Sequence, residues 1–174
     1  MVEIEKILFC IIFTIVAVQR ISELFLSRKN TKIAISKGAI EFGRNHYFLF
    51  FILHMGWMVS WAFESLKYGS LSPIWTLCAI VFIFAEFLRY WAIQTLGENW
   101  NTRIFVIPGN KKVTGGPYKF LSHPNYAAVI LEIFFLPLIF NAFYTAVIFS
   151  ILNLIVLFKI RIPEENRAWR KHNE

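Results

Sequence analysis

The sequence predicts an all-α membrane protein, a polytopic bundle of about five transmembrane helices. Hydrophobic residues make up 57% of its 174 residues, and the mean hydropathy is positive, which disfavours the alternative of a soluble helical core. Several apolar stretches reach the roughly 20 residues that one transmembrane helix needs. The connections between them alternate between basic and nearly neutral, as loops on opposite sides of a membrane do.

The apolar stretches define the helices in order. The first three predicted spans are residues 7–26, 47–63 and 73–96. A fourth stretch, 125–160, is about twice the length of one span, and its middle contains Pro137 and Asn141. We therefore predict two short helices joined by a tight turn, which form a C-terminal helical hairpin.

Two polar connections separate these helices. Residues 27–46 are predicted to hold a short interfacial helix, with Gly38 and Gly43 as breakers. Residues 97–122 form the longest connection, in which 103–108 alternates weakly and is predicted to be extended. A loop of this length in so small a protein is usually functional.

The charge pattern predicts the orientation of the chain. Basic residues are concentrated in 27–46, 97–124 and the C-terminal tail, whereas 64–72 and the turn near Asn141 carry few charges. This pattern predicts an integral, multi-pass protein with its N-terminus outside and its C-terminus in the cytoplasm. The net charge of +7 is explained by this topology and by attraction to anionic lipid. Since the charge is divided among three segments, nucleic acid is not predicted as a partner.

The N-terminal segment, the two cysteines and His54 are predicted to have structural roles. No cleavable signal peptide is predicted, because the first apolar segment is long and its leading end is acidic. Cys10 and Cys78 fall inside spans, which predicts packing roles and no disulfide or metal site. His54 is expected in the second span towards the outer face, in a structural role. We expect one domain, 1–174, with its catalytic part at about 97–172.

Charged residues also occur inside the predicted spans, where they are costly. Arg20 and Glu23, like Glu86 and Arg89, are three residues apart and therefore share one helix face. Glu132 has no obvious partner in its own helix. Two explanations stay open for all five residues: pairing that fixes the bundle, and support for a nearby site.

The segment Ser122-His-Pro-Asn-Tyr126 is typical of a helix start, because proline suits the first helical turn. Backbone N–H groups at such an end attract carboxylates or phosphates. His123 could bond a ligand or cap the helix. Before this segment, Gly116 and Pro117 form a turn that is expected to aim Tyr118 at a ligand.

A second polar cluster follows the last span. Arg161 lies four residues before Glu165 and three before Glu164, so both carboxylates share the arginine's side of a helix. Arg161 can bind an oxyanion with its fork, and a carboxylate can hold an amine; a salt-bridged interfacial helix is the alternative. If 125–160 doubles back, both polar clusters meet at one side of the bilayer.

Together, Gly116-Pro-Tyr-Lys-Phe-Leu-Ser-His-Pro-Asn-Tyr126, the apolar hairpin and Arg161-Ile-Pro-Glu-Glu165 resemble the isoprenylcysteine carboxyl methyltransferase family of integral membrane enzymes. The motif-bearing resemblance covers about 101–169. With Trp100-Asn-Thr-Arg103 it is especially similar to small bacterial members that methylate alkylpyrones. The sequence departs from the family at Ser122, where arginine is common.

The resemblance implies S-adenosylmethionine as the cofactor and a set of residues that hold it. These are Lys111, Lys112, Val113, Tyr118, His123, Pro124, Asn125, Tyr126 and Glu165. It further implies catalytic roles for Glu165 and Arg161, the latter binding the substrate oxygen, and no metal.

The expected activity is S-adenosylmethionine-dependent O-methylation at the cytoplasmic face of the bilayer. The acceptor would be a lipophilic molecule, either a prenylcysteine-like carboxylate or the enolic hydroxyl of an alkylpyrone, with a slight preference for the second. Two alternatives remain: an NADPH-dependent membrane reductase of related fold, and a non-catalytic membrane scaffold.

Overall fold

The computed structural model describes residues 3–173, which fold into the helical bundle that the sequence predicts and, in addition, one small sheet. The α-helices are α1 (Glu3–Ser36), α2 (Tyr47–Tyr68), α3 (Trp75–Leu96), α4 (Pro124–Ile139), α5 (Phe143–Val156) and α6 (Ile162–Asn173). A π-helical turn, Leu157–Arg161, joins α5 to α6, so the chain continues as one helix from the membrane segment into the C-terminal helix.

Within residues 3–173, four helical segments are long and apolar enough to cross a membrane: Glu3–Ser36, Arg44–Tyr68, Trp75–Asn99 and Phe143–Lys171. Helix α4 has 16 residues, or about 24 Å at the usual helical rise, which is less than the roughly 30 Å of a bilayer core. It packs against α3 and α5. The predicted hairpin of α4 and α5 is confirmed, and Asn141 makes its turn with φ +57°.

Helix α1 is longer than the sequence predicts. The polar residues after position 26 continue it to Ser36, so the expectation of a separate interfacial helix within 27–46 is wrong. The reason is that polar side chains of α1 make hydrogen bonds to backbone groups of the long 97–123 connection. The Asn30 amide donates to the carbonyls of Gly97 and Trp100 at 3.0 and 2.7 Å, and the backbone N–H of Thr102 donates to Ser27 Oγ at 3.2 Å.

The two polar connections form a short antiparallel sheet. Strand β1 (Ile40–Phe42) pairs with β2 (Ile104–Val106), with Ile40 opposite Val106. The prediction of an extended 103–108 segment is therefore confirmed for 104–106. Ile104 and Val106 are buried against Ala168 of α6. The sheet thus ties the long connection to the C-terminal helix.

The connections gather at opposite ends of the bundle. At one end, the N–H of Ser72 donates to the Ile139 carbonyl at 3.0 Å, and the Glu64 carboxylate accepts from the N–H of Thr145 at 2.7 Å, near the start of α5. The sheet, the 97–123 connection and α6 lie at the other end, hereafter the loop end. Every site residue predicted from the sequence falls there.

Candidate functional site

A cavity of about 320 Å³ opens at the loop end and extends between the helices. Nine of the ten predicted site residues line it: Lys111, Lys112, Val113, Tyr118, His123, Asn125, Tyr126, Arg161 and Glu165. Pro124 lies fully buried at the first position of α4 and is not among the residues that line the cavity. The two polar clusters, which the apolar hairpin separates in sequence, share one cavity.

A hydrogen-bonded chain links the clusters directly. Arg161 Nε donates to the Tyr126 hydroxyl oxygen at 3.0 Å, and that hydroxyl donates to Glu165 Oε2 at 2.5 Å. Because the tyrosine both accepts from the cation and donates to the carboxylate, it keeps Arg161 and Glu165 on the same side of the cavity. The sequence predicts each of these residues, but not the tyrosine's bridging position.

Two further residues hold the Arg161 guanidinium, and the sequence assigns neither of them a role in the site. Nη2 donates to the Thr102 carbonyl at 2.9 Å, and the guanidinium carbon lies 5.4 Å from the centre of the Phe50 ring. Arg161 also ends the π-helical turn. Such turns change the direction of side chains along a helix and are frequent at functional sites.

His123 occupies the position just before α4 and makes no side-chain capping hydrogen bond there. Its ring instead stacks on the Tyr126 ring, with centroids 5.0 Å apart and an angle of 11°. Nδ1 lies 3.7 Å from Glu165 Oε2. Of the two roles that the sequence leaves open for His123, the geometry disfavours capping and leaves the side chain available to a ligand.

Burial lowers the pKa of His123 below its usual 6.5, while the Glu165 carboxylate opposes that shift and Lys112 adds to it. The ring is therefore neutral at pH 7. We expect Glu165→Gln to lower the pKa of His123 further, because it removes the one carboxylate that favours the imidazolium, and Lys112→Met to raise it. Histidine-selective NMR titration measures both pKa changes. If both variants shift the pKa of His123 in the same direction, His123 does not lie between Glu165 and Lys112 as described.

The turn at Gly116 brings the backbone close to α3 and so positions Tyr118 at the cavity. Gly116 has φ +53°, and a side chain there would collide with Thr95, so this turn requires glycine. Burial, and to a lesser extent the Glu165 carboxylate, raises the pKa of the Tyr118 hydroxyl. Tyr118 therefore remains a protonated hydrogen-bond donor at neutral pH.

The cavity also presents an unused acceptor. Asn125 lines the cavity, and its buried side-chain oxygen has no hydrogen-bond partner in the part of the chain that the structure describes. An unpaired buried acceptor costs free energy unless a ligand donates to it. With the carboxylate of Glu165, the site offers acceptor groups suited to an amine, while Lys111 and Lys112 are exposed.

The charged residues within the spans form one buried network beside the cavity. Arg20 and Arg89 both donate to the carboxylate of Glu132, and Arg20 Nη1 also donates to Glu23 at 2.6 Å. Glu86 lies 3.8 Å from Arg20 and 3.9 Å from Arg89. The two sequence pairs and the lone Glu132 are thus a single unit that links α1, α3 and α4.

His54 lies on the side of the bundle that holds the site. It follows the start of α2 by seven residues and lines the cavity, so the expected position towards the outer face is wrong. Its Nδ1 is 2.8 Å from the Phe50 carbonyl, which requires a proton on that nitrogen. Among residues 3–173, no group of three or more His, Cys, Asp and Glu side chains is arranged to hold a metal ion.

This fold and cavity define an integral membrane protein with a pocket at one end of a helical bundle, where two polar clusters meet. The family model "Isoprenylcysteine carboxyl methyltransferase (ICMT) family" matches residues 77–171, which is more than half of the chain. The protein belongs to this family, and its membership indicates a membrane methyltransferase.

Relatives extend this similarity over nearly the whole chain. "Uncharacterized protein YpbQ" of Bacillus subtilis is 39% identical over 167 residues, which cover 95% of this chain and 99% of the relative. An "Uncharacterized protein" of Haemophilus influenzae is 29% identical over 160 residues, 91% of this chain and 92% of the relative. No solved structure matches.

Proposed function

We propose that this protein is an S-adenosylmethionine-dependent O-methyltransferase that acts on a lipophilic acceptor, with its cavity facing the cytoplasm and its N-terminus outside. One observation carries the proposal. Arg161, Tyr126 and Glu165 meet in a single hydrogen-bonded chain inside the cavity. This places a cation suited to an oxyanion beside a carboxylate suited to an amine.

The residues present fit the cofactor. When bound, S-adenosylmethionine supplies a methyl group already activated by its sulfonium. Glu165 and the free oxygen of Asn125 would accept hydrogen bonds from its amino groups, and the start of α4 would attract its carboxylate. Tyr118 and His123 would contact it with their rings, and residues 111–113 with their backbone.

Arg161 would hold the reacting oxygen of the acceptor. A carboxylate or acidic enol is ionised at neutral pH, so the chain needs no strong general base; its task is to align this oxygen and exclude water. Phe50, Val129 and Leu157 supply apolar lining for a greasy acceptor. An alkylpyrone enol is the slightly preferred acceptor, and a prenylcysteine-like carboxylate is the second.

Calorimetry of the purified protein tests the cofactor. We expect binding of S-adenosylhomocysteine and not of NADPH, and transfer of labelled methyl from S-adenosylmethionine to a component of a lipid extract, identified by mass spectrometry. Binding of NADPH instead would favour the reductase, and binding of neither would favour the scaffold.

Tyr126→Phe should weaken S-adenosylhomocysteine binding by on the order of tenfold, because the Glu165 carboxylate loses its hydroxyl donor. The matched control is Tyr144→Phe, which removes the hydroxyl of an exposed tyrosine near the start of α5, at the opposite end of the bundle. Equal affinities of both variants would remove Tyr126 from the cofactor site.

A further inference from the structure

Asn153 is an asparagine within the apolar membrane helix α5. Only 1% of its surface is exposed, and its buried amide nitrogen has no hydrogen-bond partner among residues 3–173. Placing an unpaired amide in an apolar environment costs free energy, and polar residues inside a membrane usually serve a function. Asn153 is also among the residues that line the cavity.

The position of Asn153 places it deeper than the Arg161 cluster. It precedes Arg161 by eight residues on one continuous helix, or roughly 10–12 Å along the axis. The other lining groups contributed by α2, α4 and α5 at this depth are mainly apolar, among them Trp57, Met58 and Val129. The inner part of the cavity therefore combines an apolar lining with the unpaired amide donor of Asn153.

The charged groups at the cavity floor bond mainly to one another. Arg20 and Arg89 bond Glu132, which leaves the Nε atoms of both arginines without a hydrogen-bond partner among the described residues, and His54 Nδ1 bonds the Phe50 carbonyl. Asn153 differs from the two arginines because its side chain is uncharged and its whole amide nitrogen has no partner within the described chain. An amide N–H donor selects an acceptor atom such as a carbonyl oxygen.

We infer that Asn153 is a specificity-determining residue, which donates a hydrogen bond to a carbonyl oxygen of the methyl acceptor. This second oxygen is separate from the one that Arg161 holds, an assignment that rests on the proposed function. The acceptor class is then an amphiphile with an apolar tail, an ionisable hydroxyl and a carbonyl. A hydroxypyrone with a long alkyl chain has all three, whereas an alkylphenol lacks the carbonyl.

Calorimetry with these two probes tests the inference on the wild-type protein, Asn153→Leu and Ser150→Ala. Ser150 is the matched control, since its buried hydroxyl is also unpartnered on α5 but does not line the cavity. We expect Asn153→Leu to weaken binding of the alkyl hydroxypyrone about tenfold and to leave alkylphenol binding unchanged. Ser150→Ala should change neither. The thermal midpoint of Asn153→Leu should equal or exceed that of the wild type, which a merely structural asparagine would not allow.

Equal affinity of the wild type and Asn153→Leu for the hydroxypyrone would overturn the inference. If Asn153→Leu does not fold, the wild type alone decides: equal affinity for the two probes, or binding of neither, also overturns it. The proposed function fails separately. If hydroxypyrone binding depends on Asn153 but no methyl transfer is detected, the acceptor site is upheld and the methyltransferase reaction is contradicted. If methyl is transferred to lipid but Asn153→Leu binds the hydroxypyrone as tightly as the wild type, the reaction is upheld and the role of Asn153 is contradicted.

Discussion

Arg161→Lys should lower kcat/KM for methyl transfer by on the order of 10²–10³-fold while binding of S-adenosylhomocysteine stays nearly unchanged. Arg161 uses Nε on the Tyr126 hydroxyl and Nη2 on the Thr102 carbonyl, and these bonds fix the plane of its fork. The remaining guanidinium N–H groups are then available to the acceptor's oxyanion. Lysine keeps the charge, but a single ammonium cannot make these bonds and hold an oxyanion in a fixed direction.

Two measurements on the same preparations distinguish a role of Arg161 in acceptor binding from a role in cofactor binding. These are the rate of transfer of labelled methyl and the calorimetric affinity for S-adenosylhomocysteine. Arg167→Ala is the control, because Arg167 is an arginine further along the same helical segment with 60% of its side chain exposed and a 3.6 Å ion pair to Glu164. It should leave both measurements unchanged. A parallel loss of S-adenosylhomocysteine affinity in Arg161→Lys would show that Arg161 serves the cofactor and not the acceptor.

The sequence predicts much of this architecture because its signals are local. The apolar lengths define the helices, and Pro137 and Asn141 mark a turn that the left-handed Asn141 makes. Once 125–160 is taken as a hairpin, the return of Tyr126 and Arg161 to one end follows from chain geometry alone. Their hydrogen bond agrees with that expectation.

The features that the sequence does not reveal depend on partners far along the chain. Ser27 and Asn30 look like the end of a span, but α1 continues through them because they bond the 97–102 segment. Phe50 belongs to no motif, and Thr102 lies in Trp100-Asn-Thr-Arg103 without an assigned role, so nothing local associates either residue with Arg161. Helical spacing places charged pairs on one face of each helix but cannot tell which faces meet.

The same reasoning explains why Asn153 escapes sequence analysis. A lone asparagine in an apolar helix is equally compatible with an interhelical hydrogen bond and with a ligand contact. Only the structure shows that its amide nitrogen lacks a partner within the described residues and that the residue lines the cavity. The absence of a bond, and not its presence, is the informative observation.

Glu132→Leu should destabilise the protein by about 3–5 kcal/mol, because it breaks a buried ion pair from one side. Only 3% of the Glu132 side chain is exposed, and arginines of two other helices donate to it. Without the carboxylate, Arg20 retains Glu23 at 2.6 Å. Arg89 retains only longer ion pairs, 3.7 Å to Glu23 and 3.9 Å to Glu86, so a charge stays buried without a good partner.

Unfolding of the purified protein in detergent micelles measures this loss. The double variant Arg89→Met/Glu132→Leu should recover most of the stability, because it removes the stranded charge and fills the space with apolar groups of similar size. Glu3→Gln is the control, since the exposed Glu3–Lys6 pair should contribute little. A Glu132→Leu protein as stable as the wild type but unable to bind S-adenosylhomocysteine would assign the network to the site. Lower stability with unchanged affinity at low temperature would assign it to the bundle, which is the result that the two arginine bonds to Glu132 favour.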